Sequence, residues 1–178
     1  SGRWSKARPG QAVVSRLRHD RAPDHGSWSR DRTLAVVPLG RRAVEAELVG
    51  ALTAALRRYG LVLHLNRERF DAVHGAGAAD VHRRDRRFID LSEWLNRQEG
   101  THACVLYEAD PAPSEWTLKC LRQADHLLLV GHPEELAEVG PNATLLDREG
   151  TSGASRPTSL LLLHRRRDRE LEGTAAWL

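Results

Sequence analysis

The sequence contains no methionine, only two cysteines and only two lysines among its 178 residues. A translation product begins with methionine, whereas this chain begins with Ser1, so we expect it to be a piece of a longer protein. Cys104 and Cys120 are too few for a disulfide framework or for a zinc site built from cysteines. They indicate a protein of a reducing compartment.

Long apolar runs are also lacking. No run approaches the roughly 20 residues that a membrane-spanning helix requires, and the longest, around 160–163, has the length of a strand. The N-terminus is polar and arginine-rich and has none of the apolar core of a signal peptide. With 40% hydrophobic and 29% charged residues, the composition is that of a globular protein. We therefore expect a soluble, cytoplasmic chain.

The excess of positive charge is confined to the first 32 residues. Residues 1–32 carry eight basic and three acidic side chains, which leaves 19 basic and 21 acidic side chains for residues 33–178. A nucleic-acid-binding domain would carry its basic excess on the folded surface. We therefore predict a basic linker with a short helix over 1–32, a single α/β domain over 33–178, and no nucleic-acid partner.

Apolar runs alternate with helical periodicities from Thr33 onward, and continuous apolar runs are typical of strands buried on both faces. The predicted strands cover 34–37, 61–65, 103–107, 127–130 and 159–164. The predicted helices cover 42–59, 88–98, 115–123 and 133–139, with Gly100 ending the second and Ser114 capping the third. Segments 66–85 and 140–157 are polar or rich in Gly, Ser, Thr and Pro, and we assign them no helix or strand. The fold class predicted is α/β, a mainly parallel sheet of five or more strands with helices on both faces, Rossmann-like or degenerate P-loop-like.

Two loops at the carboxyl ends of predicted strands contain candidate site residues, because parallel sheets bind ligands at that edge. After the first strand, Gly40, Arg41 and Arg42 could bind a nucleotide or another anion at a helix N-terminus, or the two arginines could simply be solvated. After the third strand, Asp110 could be a Mg²⁺ ligand or general base, or a helix-capping or turn aspartate ahead of Pro111. A phosphate-binding loop would need more glycines and a lysine.

No catalytic motif is complete in this sequence. None of the nine histidines forms an HxxxH or HExxH pair, and the G-x-S-x-G pattern of serine hydrolases is absent. We expect Cys104 to be buried in the middle of a strand and therefore inert, and we leave the exposure of Cys120 open. We expect no catalytic residue, no metal and no cofactor in this chain.

The stretch 90–131 carries a distinctive series of residues. It includes Asp90-Leu91-Ser92-Glu93-Trp94-Leu95, Tyr107-Glu108-Ala109-Asp110, Trp116-Thr117 and Cys120-Leu121-Arg122-Gln123-Ala124-Asp125. This series resembles the segment between the cyclic-nucleotide-binding-like domains and the patatin domain of neuropathy target esterase and its bacterial relatives. We take Trp94, Trp116, Arg122, Gln123 and Asp125 as the signature residues, which either contact a neighbouring domain or stabilise the fold.

The resemblance implies a parent enzyme that hydrolyses phospholipid and lysophospholipid esters with a Ser–Asp dyad at the cytoplasmic face of a membrane. The patatin motifs are not in these 178 residues. The chain itself is then a non-catalytic regulatory or scaffold domain. Its implied partners are the adjacent cyclic-nucleotide-binding-like and patatin domains and, through the parent, membrane phospholipid.

Two alternatives stay open. The chain has a weaker likeness to ParA/MinD-type nucleotidases, in which an Ala-Asp pair also precedes a strand such as 127–130. Their glycine-lysine-threonine loop is replaced here by Leu39-Gly40-Arg41-Arg42, so the likeness implies a degenerate nucleotide-binding module that uses the Gly40 loop and Asp110. The other alternative is a membrane- or anion-binding adaptor working through the basic tail and the arginines at 165–167.

Overall fold

The computed structural model describes residues 32–132, 141–150 and 156–163. Its five strands are β1 Thr33–Pro38, β2 Val62–Leu65, β3 Cys104–Glu108, β4 His126–Gly131 and β5 Thr158–Leu162. Its helices are α1 Ala46–Leu56, extended by a 3₁₀ turn at Arg57–Tyr59, α2 Arg67–His74, α3 Arg87–Thr101, α4 Glu115–Gln123 and α5 Pro141–Gly150. Predictions for the linker over 1–31, the helix over 133–139 and the residues after 163 lie outside this description. The division into a linker and one domain therefore stays a prediction.

The five strands form one sheet in the order β2-β3-β1-β4-β5, and every neighbouring pair is parallel. β1 lies at the centre, and all six of its residues are buried. This burial on both faces explains why β1 is a continuous apolar run rather than an alternating one. The predicted α/β fold with a parallel five-stranded sheet is confirmed.

Helices cover both faces of the sheet. Ala35 and Val37 of β1 pack in a core with side chains from α2, α3, α4 and α5, whereas Leu34 and Val36 face α1. Successive side chains of a strand point to opposite faces, so β1 contributes to both cores in turn. The connection from β1 therefore crosses one face, and the later connections cross the other.

The helix predicted over 42–59 begins four residues later than predicted. Val44 is buried beneath α1 while still outside the helix, and Glu45 has an extended backbone (φ −64°, ψ 130°) that sets the helix start at Ala46. The predicted end of α3 at Gly100 was also wrong, because the helix continues through Thr101. By contrast, α4 has the predicted bounds, and the Ser114 side chain accepts a hydrogen bond from the Thr117 backbone N–H.

Two helices lie in segments to which the sequence assigned no element. α2 begins at Arg67, and the Asn66 side chain accepts a hydrogen bond from the Arg69 backbone N–H at 3.0 Å. Phe70 is its only buried residue, so α2 has almost no apolar periodicity to detect. α5 lies in the segment rich in Gly, Ser, Thr and Pro, and Pro141 occupies its first position, where a missing N–H costs nothing.

Gly60, between the 3₁₀ turn and β2, occupies a position that only glycine fits. Its φ is +142°, and a Cβ built there would lie 2.6 Å from the Cβ of Ala103. We expect Gly60→Ala to lower the free energy of unfolding by about 2 kcal/mol, measured by urea denaturation. Gly100→Ala is the matched control: nothing lies within 4 Å of its Cβ position, so helix propensity should make this variant slightly more stable. Equal effects of the two substitutions would contradict the strained geometry at Gly60.

Candidate functional site

The carboxyl ends of β1, β3 and β4 form the edge where a sheet of this topology would bind a ligand. The connection leaving β1 crosses to the α1 face, whereas those leaving β3 and β4 cross to the other face. A crevice opens beside a strand at such a switch point. The predicted residues Gly40, Arg41, Arg42 and Asp110 all follow the ends of β1 or β3.

The loop after β1 is hydrogen-bonded to the sheet, and the helix that follows it begins with acidic residues. The Leu39 backbone N–H donates to the carbonyl of Val130 at 2.8 Å, and Arg41 and Arg42 are exposed. Because α1 starts at Ala46, its N-terminus carries Glu45 and Glu47 instead of the two arginines. Carboxylates there favour the helix dipole and oppose a bound phosphate.

Asp110 is bonded to other side chains of the domain. Its Oδ2 accepts hydrogen bonds from Nε and Nη2 of Arg67 at 2.9 and 2.7 Å and from the hydroxyl of Ser114 at 2.6 Å. Arg67 also donates from Nη1 to Asp80 at 2.5 Å. The bonds to Asp110 and then to Asp80 raise the pKa of Arg67, and the guanidinium lowers the pKa of Asp80. Asp110 thus links α2 to the N-cap of α4.

Asn142, the second residue of α5, ties the ends of two strands together. The side chain is fully buried, and Nδ2 donates to the backbone carbonyls of Pro38 at 3.1 Å and Asp110 at 2.9 Å. Its Oδ1 is buried without a hydrogen-bond partner, as is Nδ1 of His132, which follows β4. Both atoms belong to residues at or beside this edge, and both are buried polar atoms that lack a hydrogen-bond partner among the described residues.

A histidine–glutamate pair lies at the carboxyl ends of β2 and β3. Nε2 of His64 is 2.8 Å from Oε2 of Glu108, and both side chains are largely buried. The Glu108 carbonyl accepts a hydrogen bond from the indole N–H of Trp116 at 2.9 Å. Among the described residues, neither side chain of this pair hydrogen-bonds a hydroxyl or a thiol, so the pair joins two strands rather than forming a charge-relay arrangement.

The signature tryptophans pack inside the domain. Trp116 is fully buried, with its ring centroid 4.9 Å from that of Phe70 and 6.4 Å from that of Tyr107. Trp94 is half-buried and contacts Phe70 and His74 edge-on. Trp94 of α3 and Trp116 of α4 therefore both pack against α2, through Phe70.

Gln123 and Asp125 tie the end of α4 to the start of β1. Oδ2 of Asp125 accepts hydrogen bonds from the backbone N–H groups of Arg32 and Thr33 and from the Thr33 hydroxyl. The Thr33 hydroxyl also donates to the carbonyl of Gln123 at 2.8 Å. Arg122 is exposed. The structure thus brings Asp125 and Gln123 together at the amino end of the sheet, opposite the edge that holds Asp110.

Three residues that sequence reasoning missed make long-range contacts: Arg67, Asn142 and Lys119. The Lys119 ammonium is buried and donates to the carbonyls of Ala79 and Val81 at 2.8 and 2.6 Å, which fixes the loop between α2 and α3. Burial lowers the pKa of Lys119. The sequence did offer one sign of the Lys119 contact, because a lysine on the inward, mostly apolar face of α4 needs a polar partner.

The cysteines are thiols in this fold. Cys104 is the first residue of β3 and only half-buried, which corrects the expectation of a buried mid-strand position, and burial raises its pKa to about 11. Cys120 is completely buried, and burial raises its pKa as well. Because the thiolate is the reactive species, both side chains are poor nucleophiles.

No group of three or more His, Cys, Asp or Glu side chains in the described ranges is arranged to hold a metal ion. Among the same residues, no helix combines the length and the apolar character that a membrane crossing needs.

The pKa of His74 is lowered, first by burial and then by the nearby Arg87. The folded state therefore favours neutral His74, and the stability this provides is present above the ordinary pKa of 6.5 and is lost as the pH falls towards the lowered value. We expect His74→Phe to flatten the fall of melting temperature between about pH 6.5 and 5. Val73→Phe introduces the same side chain at an exposed position that has no ionisable group, and as the control it should leave the profile unchanged. If the melting temperature of His74→Phe fell with pH as steeply as that of the native chain, His74 would not be the source of this pH dependence.

Comparisons with known proteins agree over most of the chain. The family model described as the neuropathy target esterase family P-loop like domain matches residues 31–178. Patatin-like phospholipase domain-containing protein 6 of Mus musculus is 34% identical over 146 residues, which is 82% of this chain and 10% of that protein. Protein 7 of Rattus norvegicus is 31% identical over 147 residues, again 82% and 10%. Neuropathy target esterase sws of Drosophila grimshawi is 32% identical over 116 residues, 65% of this chain and 8% of that protein.

The chain spans about a tenth of the length of the curated relatives it matches. No solved structure matches it.

Proposed function

Because this chain belongs to the neuropathy target esterase family and corresponds to its P-loop-like domain, we propose that it is a non-catalytic domain that positions or regulates the catalytic domain of a patatin-like phospholipase. The proposed partners are the adjacent cyclic-nucleotide-binding-like and patatin domains of a longer parent chain. Through that parent, the domain would work beside membrane phospholipid, on the cytoplasmic face.

The observation that carries this proposal is the state of the carboxyl edge of the sheet. The carboxylate suited to bind a metal, Asp110, is bonded to Arg67 and Ser114. The helix N-terminus suited to bind phosphate carries Glu45 and Glu47. The groups at this edge that an enzyme would use to bind a substrate therefore interact with other parts of the domain, which favours a structural or regulatory role.

Arg122 is the exposed charged residue among the signature residues, and we take it as the candidate for contact with a neighbouring domain. Trp116 is fully buried and the Asp125 carboxylate accepts hydrogen bonds from the start of β1, so these two side chains support the fold, whereas Gln123 contributes its backbone carbonyl to the same contact. Arg122 is exposed on the last turn of α4. An arginine in that position can form bidentate hydrogen bonds with a carboxylate of another domain.

Arg122→Ala in the full-length parent enzyme tests this role. We expect phospholipid hydrolysis to fall about 5- to 10-fold at unchanged melting temperature, the usual cost of removing an interface arginine. Arg97→Ala, at an exposed position on α3, is the matched control and should retain full activity. Full activity of Arg122→Ala would exclude it as an interface residue, and a lowered melting temperature would assign it to the fold.

A second candidate function is a degenerate nucleotide-binding module that uses the Gly40 loop and Asp110. The observation in its favour is the pair of buried, unpartnered atoms near this edge, Oδ1 of Asn142 and Nδ1 of His132. Calorimetry with ATP or GTP and Mg²⁺ tests it. Binding that is lost in Asn142→Leu would support this function. The absence of both binding heat and a thermal shift at millimolar nucleotide would exclude it.

A further inference from the structure

Four exposed arginines are concentrated in the loop that leads into α3 and at the first residue of that helix. Residues 82–87, the arginine loop, contain Arg83, Arg84, Arg86 and Arg87, all exposed. Over residues 32–132 as a whole, 14 basic side chains stand against 13 acidic ones. The loop is therefore a local concentration of positive charge on a nearly neutral domain.

Three of these arginines are not engaged in holding the fold. Within the part of the chain that the structure describes, the guanidinium groups of Arg83, Arg84 and Arg86 make neither a hydrogen bond nor an ion pair. Arg87 donates to the carbonyl of His74 at 3.4 Å. Three positive charges are thus presented to solvent, in contrast with Arg67, which is bonded to two carboxylates.

The acids nearest the loop do not cancel its charge. Oδ1 of Asp85 accepts the backbone N–H of Arg87 at 2.9 Å, so this carboxylate caps the start of α3. Asp90 is the other acid within residues 82–90, whose net charge is +2. Across the fold, Oε1 of Glu115 lies 3.9 Å from Nε2 of His82, at the start of the loop and away from the three free guanidinium groups in sequence. The positive end of the α3 dipole faces the same loop and adds to its potential.

Exposed aliphatic side chains accompany the arginines. Ile89, two residues beyond Arg87, is 64% exposed, and Val73, next to His74, is 59% exposed. The bond between Arg87 and the His74 carbonyl places the end of α2 beside the start of α3, so both aliphatic residues belong to the same end of this helix pair. Arginines flanked by exposed aliphatic side chains are typical of surfaces that contact a bilayer interface.

We propose that the arginine loop, with Ile89 and Val73, binds the surface of a membrane that contains anionic phospholipid. The arginines pair with lipid phosphates, and the aliphatic side chains enter the interface between head groups and acyl chains. A nucleic acid is the less suitable partner, because the aliphatic side chains offer it neither a hydrogen bond nor a stacking face. The proposal concerns this chain by itself and does not depend on the function proposed for the parent.

Co-sedimentation of the 178-residue chain with vesicles tests the charged part of the surface. The vesicles contain phosphatidylserine and phosphatidylcholine, or phosphatidylcholine alone, and we expect binding only to the first. The double variant R83Q/R84Q should weaken that binding on the order of 30-fold, because each surface arginine contributes about 1 kcal/mol. The matched control R69Q/R97Q removes the same charge from two separate exposed positions on α2 and α3 and should change binding less than twofold.

The aliphatic part is tested with Ile89→Ser against Leu61→Ser, a similarly exposed residue at the start of β2. We expect Ile89→Ser to bind the vesicles about fivefold more weakly and Leu61→Ser to bind them as the native chain does. Equal losses in the two arginine variants, or loss of all binding on deletion of residues 1–32, would overturn the proposal. So would complete competition by millimolar inorganic phosphate, because the surface would then bind a free anion rather than a bilayer.

Discussion

Trp116→Ala should lower the free energy of unfolding by about 3–5 kcal/mol, the largest effect we expect from a single substitution in this domain. The indole is fully buried between Phe70 and Tyr107, and its N–H donates to the carbonyl of Glu108. Alanine would leave a cavity and a buried carbonyl without its donor. Thermal and urea denaturation of the 178-residue chain measure the loss, which corresponds to a fall in melting temperature of roughly 10 °C.

Trp116→Phe separates the two causes of this loss. Phenylalanine keeps an aromatic ring in the core but cannot donate to the Glu108 carbonyl, so we expect a cost of about 1–2 kcal/mol. Trp94→Phe is the comparison, because Trp94 is half-buried and no hydrogen bond from its indole is seen in the described part of the chain. A Trp116→Ala variant within 1 kcal/mol of the native chain would show that Trp116 is not the centre of this core.

The strands were predictable because each contains a short, mainly apolar run. β1 and β4 are buried against neighbours on both sides, and that burial requires apolar residues at successive positions. α4 was predictable for another reason: Ser114 caps it, and its buried side chains follow helical spacing. The fold class follows from these local patterns, because apolar strands alternating with helices have few ways to pack.

The contacts at the candidate site could not be predicted in the same way. Arg67 meets Asp110 across 43 residues, and Asn142 meets Pro38 across 104, and no local pattern in the sequence encodes either pair. α2 was missed because only Phe70 is buried, so its helix depends on capping by Asn66 more than on an apolar face. The sequence identified Asp110 as a candidate but left open whether it binds a ligand or another side chain, and its partner Arg67 lay in a segment without apolar periodicity.

Arg67→Met should lower the free energy of unfolding by about 2–3 kcal/mol at pH 7, because it leaves two carboxylates without their cation. Arg67 bonds to Asp110 through Nε and Nη2 and to Asp80 through Nη1. Arg69→Met is the matched control, since Arg69 is on the same helix and makes one exposed hydrogen bond at 3.2 Å. We expect it to cost less than about 0.5 kcal/mol.

The pH dependence of Arg67→Met distinguishes charge from packing. Arg67 lowers the pKa of Asp80, so the stability that this pair provides is present above the ordinary value of 3.8 and is lost as the pH falls through the lowered pKa. The difference in the free energy of unfolding between Arg67→Met and the native chain should therefore become smaller as the pH is lowered below about 4. In Asp110→Asn, the cost of Arg67→Met should also fall by about 1–2 kcal/mol, because the two residues interact directly. If the stability lost in Arg67→Met depended neither on pH nor on Asp110, Arg67 would stabilise the domain through its aliphatic stem. Asp110 would then again be a candidate ligand-binding carboxylate.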